Sequence, residues 1–222
     1  MHLARVRGEA ASTTLTPMAD LVARMWAKQN KHPGDREALF RAVVDAIEVG
    51  EVLYPGSYVD IAASFVFDDV TYVDMDKRAA RFFSEPEAVD SIIAANRSGA
   101  STWRFIAADF TSDLGLADES FSLLVSLYAG PVSDACARYL RVGGHLLANT
   151  SHGDVAMASL DPRFRLFGVV VKLNAGYRLC TDDLDGYLDP KSGSTPTADE
   201  IRSSGRGIAY RKQAAAYLFE RI

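Results

Sequence analysis

Cysteine is nearly missing from this sequence: Cys136 and Cys180 are the only two in 222 residues, they lie far apart, and neither belongs to a C-x-x-C pair. That excludes a disulfide framework and a thiolate metal knot, and both thiols read as reduced and partly buried. Histidine is almost as scarce. The four are scattered at positions 2, 32, 145 and 152 with no H-x-x-x-H spacing, so no metal site is expected. No run approaches the roughly 18 apolar residues of a membrane span. The opening MHLARVRGEA carries positive charge with no apolar stretch behind it, so no secretory signal is expected. Lys and Arg number 24 against 29 Asp and Glu, a net charge of −5. A chain of that sign has no broad footprint for nucleic acid or an anionic membrane. Also missing are a G-x-x-x-x-G-K-[ST] phosphate loop, a G-x-S-x-G elbow and a G-x-G-x-x-G dinucleotide turn. What remains is a soluble, cytoplasmic protein whose partner is a small molecule.

A hydrophobic fraction of 48% is enough for a substantial core. Residues 1–16 read as a loose lead-in. Pro17 suits a first helical turn with Thr16 as cap, and Leu21, Val22, Met25 and Trp26 form a helical stripe. KHPGD (31–35) is a turn, after which Asp35 can cap a second helix carrying Leu39, Phe40, Val43, Val44 and Ile47 up to Gly50. From 51 onward the pattern alternates. EVLYPG, VTYVDMD (70–76), 103–107, 121–127 and 145–149 read as strands. Segments 77–83, 84–97 and 134–140 read as helices. Such alternation implies parallel βαβ units under a helical cover on both faces. Segments 167–173, 176–180 and 214–220 read as strands of an antiparallel end, joined by a polar connection. The division is therefore a helical extension over 1–50 and an α/β domain over 51–222, with a possible homodimer if the helical stripes face a second subunit.

Ligands of open α/β sheets bind outside the carboxyl ends of the strands. That rule selects 54–57, 74–76, 109–111, 126–128 and 149–154. Gly56 permits close backbone approach to a ligand. Ser57 can cap a following helix, with Asp60 three residues on completing a capping box whose N-terminus favours an anion. Asp74 is placed to accept from ribose hydroxyls. His152 reads either as a general base, with Asp154 beside it, or as a solvent-exposed loop histidine. Tyr128 either lines the site or packs as a plug. Asp76 reads as a solvated or capping carboxylate. Tyr177 and Tyr187 could fold over the pocket or simply pack, and Asp182, Asp183 and Asp185 read as a solvated loop.

Three stretches in order resemble the class I S-adenosylmethionine-dependent methyltransferases: VTYVDMDKRAARFF, FIAADFTSDLGLADESFSLLVS and YLRVGGHLLANTSHGD. The resemblance covers 51 to about 154. It implies an open, mostly parallel, seven-stranded Rossmann-like sheet with an antiparallel C-terminal end, two helices added in front, and S-adenosyl-L-methionine as cofactor. It implies that Asp74 binds ribose and Asp109 contacts adenine. The strand-end positions Tyr54, Gly56, Ser57, Met75, Phe110 and Ser126 complete the cofactor set, with His152 and Tyr128 as catalytic candidates. The chain departs from the family at YPGSYVDIAAS, which has one glycine where several are usual, and at Ser122, where an acid often follows the aromatic. The implied activity is methyl transfer to a small molecule. Two alternatives stand beside it: the same cofactor used for cyclisation or elimination, and a non-catalytic module that kept the fold.

Overall fold

A computed structural model describes residues 17–222; the expected lead-in over 1–16 and the cap at Thr16 lie outside the described residues. Eight strands form one sheet: β1 (Glu51–Pro55), β2 (Asp69–Asp74), β3 (Thr102–Ala107), β4 (Phe121–Ser126), β5 (Leu140–Ala148), β6 (Phe164–Leu173), β7 (Gly176–Cys180) and β8 (Ala216–Arg221). Their order is β3-β2-β1-β4-β5-β8-β6-β7. The first five pair in parallel, β8 inserts antiparallel between β5 and β6, and β7 pairs antiparallel with β6. This is the open, mostly parallel, Rossmann-like sheet that the resemblance implies, with the antiparallel C-terminal end. The strand count is eight rather than seven, because β7 folds back on β6 as a hairpin and adds an edge.

Burial follows from this topology. A parallel sheet covered on both faces needs strands apolar on both faces, and FSLLVS in β4 is buried at every position. On one face lie α1 (Pro17–Gln29), α2 (Asp35–Val44), α3 (Lys77–Phe83) and α4 (Pro86–Asn96). Their Val22, Phe40, Val43, Phe82 and Ile93 pack with Val52, Tyr54, Val70 and Tyr72. On the other face, Cys136 of α5 (Val132–Cys136) and Val155 of α6 (Asp154–Leu160) pack with Leu53, Val73, Leu124 and Tyr217. α7 (Ala198–Ser204) lies against α6 through Ile201.

Several local expectations are corrected. Gly34, at φ 81°, occupies the cap position of α2 in place of Asp35. The Asp35 carboxylate instead accepts from Lys172 Nζ at 2.7 Å and Tyr177 Oη at 2.9 Å, tying α2 to the β6–β7 hairpin. Tyr177 is therefore a packing residue at this contact. α2 ends at Val44, short of Gly50. Between β1 and β2 the chain makes no α-helix, only a 3-10 turn over Ala62–Phe65. The expected capping box does not form: the Ser57 hydroxyl has no partner among the described residues, and the buried Asp60 carboxylate takes Tyr54 Oη, Ala62 N and the Arg36 guanidinium instead. The helix expected over 134–140 is shorter, since Leu140 already begins β5. α6 and α7 were not expected.

Phe40 shows how closely α2 is built into the core. It is fully buried, with ring centroids 5.3 Å from Phe67 and 6.3 Å from Tyr54. Phe40→Ala is expected to lower unfolding stability by about 3–5 kcal/mol in chemical denaturation; a loss below about 1 kcal/mol would mean that α2 rests on the sheet without packing into it.

Candidate functional site

The strand order reverses between β1 and β4, and the loops leaving these two strands interlock. Gly56, at φ 64°, donates its N–H to Val73 O at 2.7 Å. A methyl group added to Gly56 would lie 2.4 Å from Ala129 Cβ. The Phe110 ring closes on the same spot, 3.8 Å from that position. The single glycine of the turn is thus required twice, by its φ and by its neighbour. Beside it, Ser57 is 2% exposed, and its hydroxyl has no hydrogen-bond partner among the described residues. Leaving such a group unpaired costs about 1–3 kcal/mol.

Asp74, half-buried at the end of β2, is held by two backbone donors: Tyr58 N to Oδ2 and Asp76 N to Oδ1, both at 2.7 Å. A carboxylate offers about four lone-pair sites, so each oxygen keeps one for a ligand. Met75 beside it is 71% exposed. Asp76 caps α3, accepting from Arg78 N at 2.7 Å. Asp109 is exposed, and its Oδ1 accepts Thr111 N at 2.9 Å and Thr111 Oγ1 at 2.8 Å. These bonds, the backbone one foremost, hold its carboxyl below the usual carboxylate range. Ser126 is buried and donates to Gly130 O at 3.4 Å.

A cavity of about 1000 Å³ opens over the ends of β1 and β4 beneath α1 and α2. Tyr54, Gly56, Ser57 and Tyr128 line it together. Asp74, Met75, Asp109, Phe110, Ser126 and His152 are not part of its lining. A second cavity of about 540 Å³ lies beyond Tyr128, bounded by Asn149, Thr150, Ser151 and Tyr217. Tyr128 borders both cavities and is 63% exposed rather than packed as a plug. Its backbone donates to Asn149 Oδ1 at 3.4 Å, and the Arg36 guanidinium stands 5.5 Å above its ring. His152 is exposed on the 3-10 turn Ser151–Gly153 that follows β5. Tyr58, Tyr128 and His152 all have positive φ, at 49°, 64° and 57°. Non-glycine residues in that region cost on the order of 1–3 kcal/mol each and tend to gather at functional sites.

Sequence reasoning missed Arg36, which comes from α2 and bridges Asp60 at 3.0 Å. Nothing in its sequence neighbourhood marks it. The Tyr54 phenol is pushed well above its ordinary pKa, first by burial and then by the Asp60 charge, so it remains a neutral donor to Asp60. Asp154, considered as a partner base to His152, is entirely buried and meets no solvent. Its carboxylate accepts from Ser133 N at 3.1 Å and from Ser133 Oγ, tying α6 to the start of α5. Burial pushes its pKa up to about 6 even though the Ser133 hydrogen bonds oppose the rise. The Cys136 thiol nearby is pushed up to about 12 by burial and by the Asp154 charge, which leaves it inert.

No family model matches the chain, and no curated protein matches it. Among solved structures, a SAM-dependent methyltransferase from Methanosarcina mazei is 14% identical, with 81% of this chain and 96% of that one covered at a TM-score of 0.45. The N-methyltransferase NodS from Bradyrhizobium japonicum, in complex with S-adenosyl-L-homocysteine, is 17% identical over 63% of this chain and 76% of that one, at a TM-score of 0.42. An arsenic(III) S-adenosylmethionine methyltransferase from Chlamydomonas reinhardtii is 22% identical over 50% and 48%, at 0.37. With these TM-scores under 0.5, the likenesses carry neither an activity nor a ligand across to this chain. No described helix is long and apolar enough to cross a membrane.

Two outcomes follow from the site's packing. Gly56→Ala is expected to destabilise by about 2–4 kcal/mol, combining left-handed backbone strain with overpacking. Adding Ala129→Gly should recover the overpacking share only, so full recovery or none in thermal denaturation would contradict the geometry. For Asp154, the folded-state pKa is raised, so the folded protein binds the proton more readily than the unfolded chain. Its contribution to stability therefore falls as pH rises from about 4 to about 6, by up to about 3 kcal/mol for a shift of this size. Asp154→Asn removes that dependence. The stability difference, wild type minus variant, should fall over this window in urea titrations, and a flat difference would show that Asp154 is not buried as a neutral acid.

Proposed function

We propose that this protein is an enzyme that binds S-adenosyl-L-methionine and transfers its methyl group to a small-molecule acceptor in the cytoplasm. The observation that carries the reading is the pairing of Ser57 with Asp74. One is a buried hydroxyl with no partner, the other a carboxylate already oriented by two N–H groups with acceptor capacity left over. Asp74 lies in a stretch that resembles the methyltransferases, Ser57 in the turn where the chain departs from them, and both suit a polar nucleoside ligand. On this reading Asp74 takes the ribose hydroxyls and Asp109 the adenine. Tyr54, Gly56 and Ser57 face the methionine end, and Met75, Phe110 and Ser126 support the cradle. The helical extension over 1–50 covers the acceptor, and 51–222 holds the cofactor.

When bound, the cofactor supplies an electrophilic methyl group on its sulfonium, so the protein's task is mostly alignment. Tyr128, standing between the two cavities, orients the acceptor. His152 follows Ser151, which lines the second cavity, and takes a proton where the acceptor must lose one. The Ala129 methyl crowding Gly56 favours a second reading, in which the same cofactor undergoes cyclisation or elimination in a narrowed cradle.

Calorimetric titration with S-adenosylmethionine is expected to give saturable binding, weakened by about 1–3 kcal/mol in Asp74→Ala. Asp74 also anchors Tyr58, so the variant's melting curve is recorded alongside. No heat at millimolar ligand overturns the proposal. Turnover by methyl transfer must release S-adenosylhomocysteine, and another product detected by mass spectrometry selects the second reading.

A further inference from the structure

The protein is acidic overall, at net charge −5, yet the cavity over the ends of β1 and β4 has cationic walls. Lys28, Lys31, Arg36, Arg78 and Arg81 line it against one carboxylate, Asp60. Two of the five are already committed: Arg36 to Asp60 at 3.0 Å and Arg78 to Asp76 at 2.5 Å. Lys28, Lys31 and Arg81 have no acidic partner among the described residues; Arg81 reaches only Met18 Sδ, at 3.6 Å. Lys28 in the last turn of α1 also suits the helix dipole. Arg81 holds the same position in the last turn of α3, and only Lys31, beyond the helix, lies outside that account; the dipole explains why a cation suits each helix end, not why the two ends and Lys31 face one cavity. Three cations from three places in the chain thus converge on one concave surface, and a cleft lined by one sign concentrates the field inside it.

S-adenosylmethionine does not account for this charge. Its sulfonium and ammonium outweigh its single carboxylate, so it is itself a cation. A volume of about 1000 Å³ is at the upper end for small-ligand pockets, which run to roughly 1,000 Å³, and leaves room for a second molecule. We infer that the methyl acceptor is a small molecule bearing at least two negative charges, as phosphate or carboxylate groups, held by Lys28, Lys31 and Arg81. The assignment of this molecule as acceptor rests on the function proposed above; the anion site itself does not. Placed there, the acceptor meets the turn at Gly56 and Ser57 on one side and Tyr128 on the other.

The test is calorimetric titration of the full chain, without cofactor, using inorganic pyrophosphate and citrate as probes. At least one should bind saturably, more weakly as salt rises. Binding of pyrophosphate alone assigns phosphate recognition, and binding of citrate alone assigns carboxylate recognition. The triple variant Lys28→Gln, Lys31→Gln, Arg81→Gln should weaken the binding by about tenfold or more, while Lys191→Gln leaves it unchanged. The three single variants, each expected at about threefold, give the same reading with less burden on the fold. If neither probe binds, or the variants bind as tightly as wild type, the inference is wrong. S-adenosylmethionine titrated in parallel separates the two claims. Anion binding lost in the triple variant, with no cofactor binding in wild type, removes the methyl-transfer reading and keeps the anion site. Cofactor binding with no anion binding does the reverse.

Discussion

The contact between Gly56 and Ala129 holds the carboxyl edge of this sheet in its observed shape. Gly56 closes β1 by donating back to Val73 on β2, and its missing side chain is the space that the Ala129 methyl fills. One residue therefore ties together the ends of β1, β2 and β4, the strands on either side of the point where the order reverses. Gly56 tolerates φ 64° without the Cβ penalty that other residues meet. Its neighbours do carry that penalty: Tyr58 at φ 49° is held by the Asp74 carboxylate, and Tyr128 at φ 64° by Asn149. Strain of this kind persists only where the surroundings over-determine it, and here the surroundings are the interlocked loops themselves.

A second layer of determination comes from the helices in front of the sheet. Arg36 on α2 reaches Asp60, Asp60 accepts from Tyr54, and the same guanidinium covers the Tyr128 ring. Desolvating such a pair costs several kcal/mol per ion before any attraction is counted. Its value to the fold is therefore better sought in orientation than in net stability. Tyr54 sits at the end of β1, Tyr128 just past the end of β4 and Arg36 on a helix that would otherwise only cover the sheet. The network gives the cavity a fixed wall in place of a loose lid. It also takes Asp60 away from the expected capping box, since its carboxylate is turned to Tyr54, Ala62 N and Arg36 rather than back toward Ser57.

What could be read from the sequence depended on range. The five parallel strands and the acids at their ends were legible, because alternation of strand and helix and the residue types at a strand end are local properties. The Thr197-x-x-Glu200 capping box of α7 was also legible in principle, but the Gly- and Pro-rich stretch before it masked the signal. The burial of Asp154 has no local signal, because its surroundings include Ser133, a residue distant in sequence that only the folded sheet brings to it. Arg36, Lys28 and Arg81 escaped notice for the same reason: each is an ordinary charged residue on a helix until the helices dock. Long-range convergence of charge has no local pattern to betray it.

The negative net charge and the basic cavity belong together. Net charge governs solubility and long-range steering, whereas a cleft acts over the few ångströms in which solvent screening is weakest. A uniformly basic protein would attract polyanions of every kind over its whole surface. A net charge of −5 opposes the long-range approach of polyanions, while the cations of the concave site attract a compact anion that can enter it. The cations are long side chains from α1, the turn after it and α3, elements peripheral to the parallel strands, while the acids Asp74 and Asp109 stand at the strand ends or just beyond them. Rigid strands thus place the groups that need fixed geometry, and flexible lysine and arginine side chains supply charge where its exact position matters less.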